Sequence, residues 1–243
     1  ALFSPLTVIL NKGFDHFQAH NASREICMLQ IGRALGGAPL DALKNPVRAI
    51  EHYPAWKRWF ATEIFPTNFT VKDARWAVNY SEHMIAGGLT YRALAQWYDA
   101  HGYPWPRLWS GVTTFGASML NEAMEFVGTD TAASSTVADL YVFDLGGILL
   151  FNWDPAVRFF AGTLQASDWS TQASFTFPNG ELQNNGQYYI TKLPLPKTDT
   201  RLFFRFGMGV QSGLSRPVGG GNSVTLALGV DTDARVVDPI TRD

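Results

Sequence analysis

Five residues in this 243-residue chain have types and settings suited to acid–base chemistry: His83, Glu122, Glu125, Asp139 and Asp144. His83 lies beside Met84 and three residues after Tyr80, on an aromatic stripe. Glu122 and Glu125 end an otherwise uncharged segment. Asp139 and Asp144 interrupt the apolar run Ala138-Asp139-Leu140-Tyr141-Val142-Phe143-Asp144-Leu145-Gly146-Gly147. Ionisable groups among apolar residues are costly unless paired, so the pattern predicts an imidazole set against carboxylates. The favoured expectation is a polar network that fixes helix register in an aromatic-rich core. The alternative is general acid–base work by His83, Glu122 and Asp139.

Other candidate residues are weaker. His16 and His20 stand four apart, on one face of a helix, and Asp15 or Glu25 could add an oxygen ligand. Residues 17–19 are Phe, Gln and Ala, so the His-Glu-x-x-His pattern is missing and no metal role is expected. Cys27, between Ile26 and Met28, reads as a small buried apolar side chain. As the single cysteine it excludes an internal disulfide framework and a four-cysteine zinc site. Gly219-Gly220-Gly221 lacks the Gly-Lys-Ser/Thr ending of a phosphate loop. No cofactor is implied.

The elements that must position these residues fall into two parts. Trp76, Tyr80, Met84, Gly87, Tyr91, Leu94 and Tyr98 recur every three or four residues, after Thr70 and Asp73 at capping spacing. A further helix is expected from about Pro106 to Val127, and a last one from Ser135 to Phe151. Earlier helices are expected over Asp15–Leu35 and Pro39–His52. After residue 152 the period shifts to two. Leu202, Phe204, Phe206, Met208 and Val210 alternate with their neighbours, as do Val224, Leu226, Leu228 and Val230. Further strands are expected at Val157–Leu164, Trp169–Phe177 and Gln187–Leu193, with a hairpin loop over Ser215–Asn222. The expected fold is α+β: a helical domain over 1–152, then an antiparallel β domain over 153–243. Its five or six strands are too few to close a barrel alone, which takes about eight. The sheet must therefore pack on the helices or on a partner.

Composition limits the function classes. Charged residues are 16 per cent of the chain, against roughly 25 in an average soluble protein, while aromatics reach 14 per cent. That balance excludes a disordered chain. A net charge of −2 argues against nucleic-acid binding, which needs a concentrated basic surface. The apolar helical stretch from Leu108 to Asn121 is shorter than the ~20 residues that cross a bilayer, so a buried core helix is expected there. Trp56, Arg58 and Trp59, and then Tyr103, Trp105, Arg107 and Trp109, mix aromatic and basic groups. Such mixtures suit a membrane–water boundary or a protein interface. The chain opens Ala1-Leu2-Phe3-Ser4-Pro5 without Met, as a product of signal-peptide removal would.

The order His83, then Asn121-Glu122-Ala123-Met124-Glu125, then Asp139 with Asp144-Leu145-Gly146-Gly147, resembles the small VanZ-like and YfiM-like envelope proteins. Those carry a helical His, a Lys-Glu-type dipeptide and a later Asp-x-x-x-x-Asn-x-x-Gly segment. The match covers roughly residues 75–150. Here Asn121 replaces the usual basic residue and Asp144 stands where Asn is common. The resemblance implies an envelope location rather than a reaction.

The expectation is therefore a non-catalytic protein of a Gram-negative cell envelope, in the periplasm or at the outer membrane. It would act as a structural or assembly component, bound to the membrane surface or to other envelope proteins, as a homo- or hetero-oligomer. Two alternatives stand beside it. One is a lipid- or phosphate-directed hydrolase using His83, Glu122 and Asp139; the other is a carrier of a small hydrophobic ligand.

Overall fold

The computed structural model describes residues 3–14, 40, 43–52, 55–67, 75–125, 130–170, 172–176, 181–184, 186–207 and 209–231. The fold is α+β, with helices gathered before residue 164 and an antiparallel sheet after it. Helix α1 (Pro5–Gly13) starts where Ser4 accepts from the Thr7 amide and Pro5 fits the first turn. Next come α2 (Pro46–His52) and α3 (Trp56–Trp59), which runs into a π-helical turn at Phe60–Ile64. Helix α4 covers 75–100, α5 is Pro106–Glu125, α6 covers 130–152 and α7 covers 154–163.

Helices α4 and α6 each widen in the middle into π-helical stretches, Asn79–Ala86 and Ala138–Asp144. A π-turn bonds i to i+5, so residues five apart come back to one face. Asp139 and Asp144, five apart, are both buried as a result. The two helices meet where Gly88 and Gly147 remove side chains. A methyl group at Gly88 would stand 2.2 Å from Phe151 Cδ2, and one at Gly147 would stand 2.5 Å from Met84 O. Helix α5 packs against α4 and α1. One end of the bundle is tied by Arg107 to the Asn152 side-chain oxygen at 3.0 Å, and by Arg92 to Asp154 at 2.9 Å.

The strands are β1 (Ser167–Asp168), β2 (Ala173–Thr176), β3 (Glu181–Asn184), β4 (Tyr188–Pro194), β5 (Arg201–Gly207), β6 (Gly209–Gly219) and β7 (Asn222–Asp231). The main sheet has the order β1-β4-β5-β6-β7, all antiparallel; β2 and β3 form a separate hairpin. The main sheet rests on α4 through Tyr189 and Phe206, stacked at 6.0 Å and packed with Ala86 and Phe151. Ser81 Oγ donates to Gly207 O at 3.1 Å, and Tyr189 shares a 3.0 Å hydrogen bond with Thr90. Beyond that cover the same face continues through Leu214, Leu226 and Leu228, which are exposed.

Three local expectations are corrected. Residues 157–164 are helical rather than a strand: Asp154-Pro155 opens α7, and its turns run on through Arg158–Thr163. The change from helix to strand therefore follows Thr163 and does not fall at 152/153. The strand expected over Arg201–Val210 is two antiparallel strands, one ending at Gly207 and the next beginning at Gly209, and the loop expected over Ser215–Asn222 is mostly strand β6 with a turn at Gly220-Gly221. Arg216 and Pro217 pair with Val224 and Ser223, where composition suggested a loop. The capping pair Thr70 and Asp73 and the expected helix Asp15–Leu35 lie outside the described residues.

Candidate buried centre

Three helices bring His83 (α4), Glu122 (α5) and Asp139 (α6) together, with one possible ligand atom from each within 4.8 Å of the others. All three are buried. The bundle places them as it does because α5 presents small polar residues inward. Ser110, Thr114 and Ser118 are at most 1 % exposed, and Asn121 and Glu122 follow on the same side. From α6, Thr136 Oγ1 donates to Glu122 Oε2 at 2.8 Å, and Ser135 Oγ donates to Asp139 Oδ2 at 3.3 Å.

Asp144 forms the other half of the group. Its Oδ1 lies 3.4 Å from His83 Nδ1 and 3.6 Å from Lys12 Nζ. Lys12 is 4 % exposed, on a helix that turns Leu6 and Leu10 outward. Gly87 lies beside the ion pair: a Cβ there would stand 3.4 Å from Lys12 Nζ and 3.6 Å from Asp144 Oδ1, in ordinary contact. Lys12 also lines a cleft of about 280 Å³ between α1 and the β1–β4 edge, together with Thr7, Thr90, Asp168 and Gln187. The cleft therefore reaches the buried group through a single ammonium.

Burial and mutual charge set the proton affinities. Burial pushes the Glu122 carboxyl up, Asp139 pushes it further, and His83 and Thr136 oppose them; the result is about 8. Burial alone would lower His83, but Asp139 and Asp144 more than reverse that and hold it well above its ordinary value. Burial would raise Asp144, and Lys12 and His83 outweigh it, so its carboxyl stays below the usual range. Carboxylates pushed in opposite directions around one imidazole suit acid–base work and equally a structural polar network.

Of the residues expected from sequence, His83, Glu122, Asp139 and Asp144 converge. Glu125 ends α5, and its side chain lies outside the described set, as do His16, His20, Asp15, Glu25 and Cys27 entirely. The aromatic–basic group divides. Trp105 is 73 % exposed, and Trp56, Arg58, Tyr103, Arg107 and Trp109 are exposed as well. Trp59 is instead a core residue whose indole N–H donates to Ser134 O at 2.9 Å, so it offers no surface.

Sequence reasoning missed Lys12. A single cation in the otherwise uncharged helix after Ser4-Pro5 was the available signal. It also missed a second buried carboxylate. Glu63 is 1 % exposed, pairs with Arg75 at 2.9 Å and accepts from Asn79 Nδ2 at 3.4 Å. Burial raises its carboxyl despite Arg75, Asn79 and Thr62.

Compared with known protein families, curated proteins and solved structures, the chain has no match.

Proposed function

We propose that this chain is a membrane-associated component of a cell envelope that sets an apolar girdle into one leaflet of a bilayer. The observation that carries this is the inversion of α5. Ser110, Thr114, Ser118, Asn121 and Glu122 are buried on its inner side, while its Leu108 and Val112 are 57 and 56 % exposed; on neighbouring α6, Leu149 is 72 % exposed although Leu140, Phe143 and Phe151 are buried. Tyr141, Leu145 and Leu149 repeat at four-residue spacing on the outside of α6, and Leu6 and Leu10 do the same on α1. Water-soluble bundles show the opposite pattern, and ionisable residues facing inward are the habit of chains that contact lipid.

The height of the girdle favours one leaflet. Eight residues separate Tyr141 from Leu149, about 12 Å of helix at ~1.5 Å per residue. The hydrocarbon core of a bilayer is ~30 Å, so one leaflet supplies about half of that. Residues Ala133–Asn152 are long and apolar enough by length and composition to cross, yet 56 % of the apolar window is buried against protein. Exposed Trp105, Tyr103 and Arg107 at the end of the bundle suit the headgroup level. The exposed sheet face around Leu226 and Leu228 is left for another protein of the same assembly. Flotation with phospholipid vesicles tests the membrane part. The wild type should rise with the vesicles, and a Leu145→Glu/Leu149→Glu variant should stay below; a wild type that stays below removes the proposal.

A second reading, hydrolysis of a lipid or phosphate ester at the buried group, is favoured by the convergence of His83, Glu122 and Asp139 and by the cleft that ends at Lys12. The ligand-carrier alternative would use the same cleft, whose volume of about 280 Å³ is close to the lower end of the ~300–1,000 Å³ of ligand pockets. Incubating the protein with phospholipids and following products by mass spectrometry tests the hydrolytic reading. Turnover that survives His83→Ala, or no turnover at all, removes it.

A further inference from the structure

The geometry points to a binding site for one divalent first-row transition ion, held by His83, Glu122 and Asp139. The inference stands apart from the membrane reading and would give the hydrolytic one a Lewis acid.

Three features carry it. The first is fit. For three ligand atoms within 4.8 Å of one another, a central point lies at most ~2.8 Å from each. Zinc-type ions sit ~2.0–2.2 Å from nitrogen and carboxylate oxygen, so each side chain closes by at most about 0.6–0.8 Å. The second is charge: an entering ion displaces the protons on His83 and Glu122, and the two carboxylates and neutral imidazole that remain match its double charge. An imidazole nitrogen in the set also favours a transition ion over Mg²⁺ or Ca²⁺, which take oxygen.

The third is an outer shell already in place around every ligand. Asp144 stands against His83 Nδ1, which leaves Nε2 for the ion in the carboxylate–histidine–metal arrangement. Thr136 holds Glu122 and Ser135 holds Asp139. Lys12 keeps Asp144 in its outer role by pairing with it at 3.6 Å. The stretches of α4 and α6 that carry His83 and Asp139 are π-helical, a distortion common at functional sites.

The test uses the full chain in mild detergent, stripped with a chelator and dialysed against micromolar Zn²⁺, with bound metal counted by emission spectrometry. The wild type and a His16→Ala/His20→Ala variant should each retain one equivalent. His83→Gln and Glu122→Gln should bind at least ~100-fold more weakly, and Asp144→Asn roughly 10–100-fold more weakly. A wild type that retains no Zn²⁺ overturns the proposal, as does loss of the ion in the His16/His20 variant with retention in Glu122→Gln. Should the ligand variants not fold, Co²⁺ loading of the wild type decides. Weak visible bands of nitrogen and oxygen ligation support the site; a thiolate charge-transfer band from Cys27, or no bands, overturns it.

Discussion

Replacing Asp144 by Leu is the perturbation whose consequence is best defined by the structure. Its carboxylate is fully enclosed and serves two cationic neighbours, Lys12 Nζ at 3.6 Å and His83 Nδ1 at 3.4 Å. Lys12 is 4 % exposed, on a helix packed against α5. Removing one member of a buried pair leaves an uncompensated charge, at a cost of about 3–5 kcal/mol. For a chain of 243 residues, each kcal/mol shifts the unfolding midpoint by roughly 2–4 °C, so Asp144→Leu should lower it by roughly 6–20 °C. Lys12→Met in the same molecule removes the stranded ammonium and should recover most of that loss, because well-packed apolar replacements of a whole buried pair are often neutral. Thermal unfolding of the chelator-treated wild type, both single variants and the double variant closes the cycle. A single variant costing under about 1 kcal/mol, or a double variant no better than Asp144→Leu alone, would refute the pairing argument.

Two further predictions concern packing and pH. Gly88→Ala should destabilise the chain by about 1–3 kcal/mol, since its methyl group meets Phe151 and the Gly147 carbonyl; unchanged thermal stability would show that α4 and α6 are not so closely packed. Glu63 has a folded-state pKa above its unfolded value, so the folded chain holds this proton longer. The associated stability is complete below the unfolded value of 4.5 and is lost as pH rises through the folded value, by up to ~1.4 kcal/mol per pH unit. Relative to Glu63→Gln, the wild type should therefore lose stability from pH 4.5 upward in denaturant titrations; a parallel pair of curves contradicts this.

Much of the fold was legible from the spacing of apolar residues, even where, as at Leu226 and Leu228, the face they form is exposed. Trp76, Tyr80, Leu94 and Tyr98 place α4, and alternation places β4, β5 and β7. Residues 157–164 misled because Val157, Phe159 and Phe160 have strand-like propensity, while Asp154-Pro155 is a helix start and Val157 and Phe160 pack from that helix on the core. Strand β6 was hidden by Gly213, Arg216 and Pro217. Gly213 is required there, since a Cβ would stand 2.0 Å from Leu226 O across the pair. The carboxylates and His83 were legible as costly groups in apolar sequence. Their arrangement was not, because it depends on π-helical stretches that bring Asp139 and Asp144 to one face and on Lys12, more than seventy residues before its nearest partner in the group. The inverted surface of α5 was equally hidden, since one-dimensional periodicity gives a face but not which side meets protein.

The central claim is that the outer face of α5 and α6 lies in lipid, and depth measurement tests it most directly. In a Cys27→Ser background, single spin labels at Val112, Leu145 and Leu149 report collision with lipid-soluble oxygen and with a water-soluble nickel chelate, in vesicles. The account predicts oxygen-dominated collisions at all three positions and nickel-dominated collisions at exposed Lys197. Nickel-dominated collisions at Val112, Leu145 and Leu149 would contradict it.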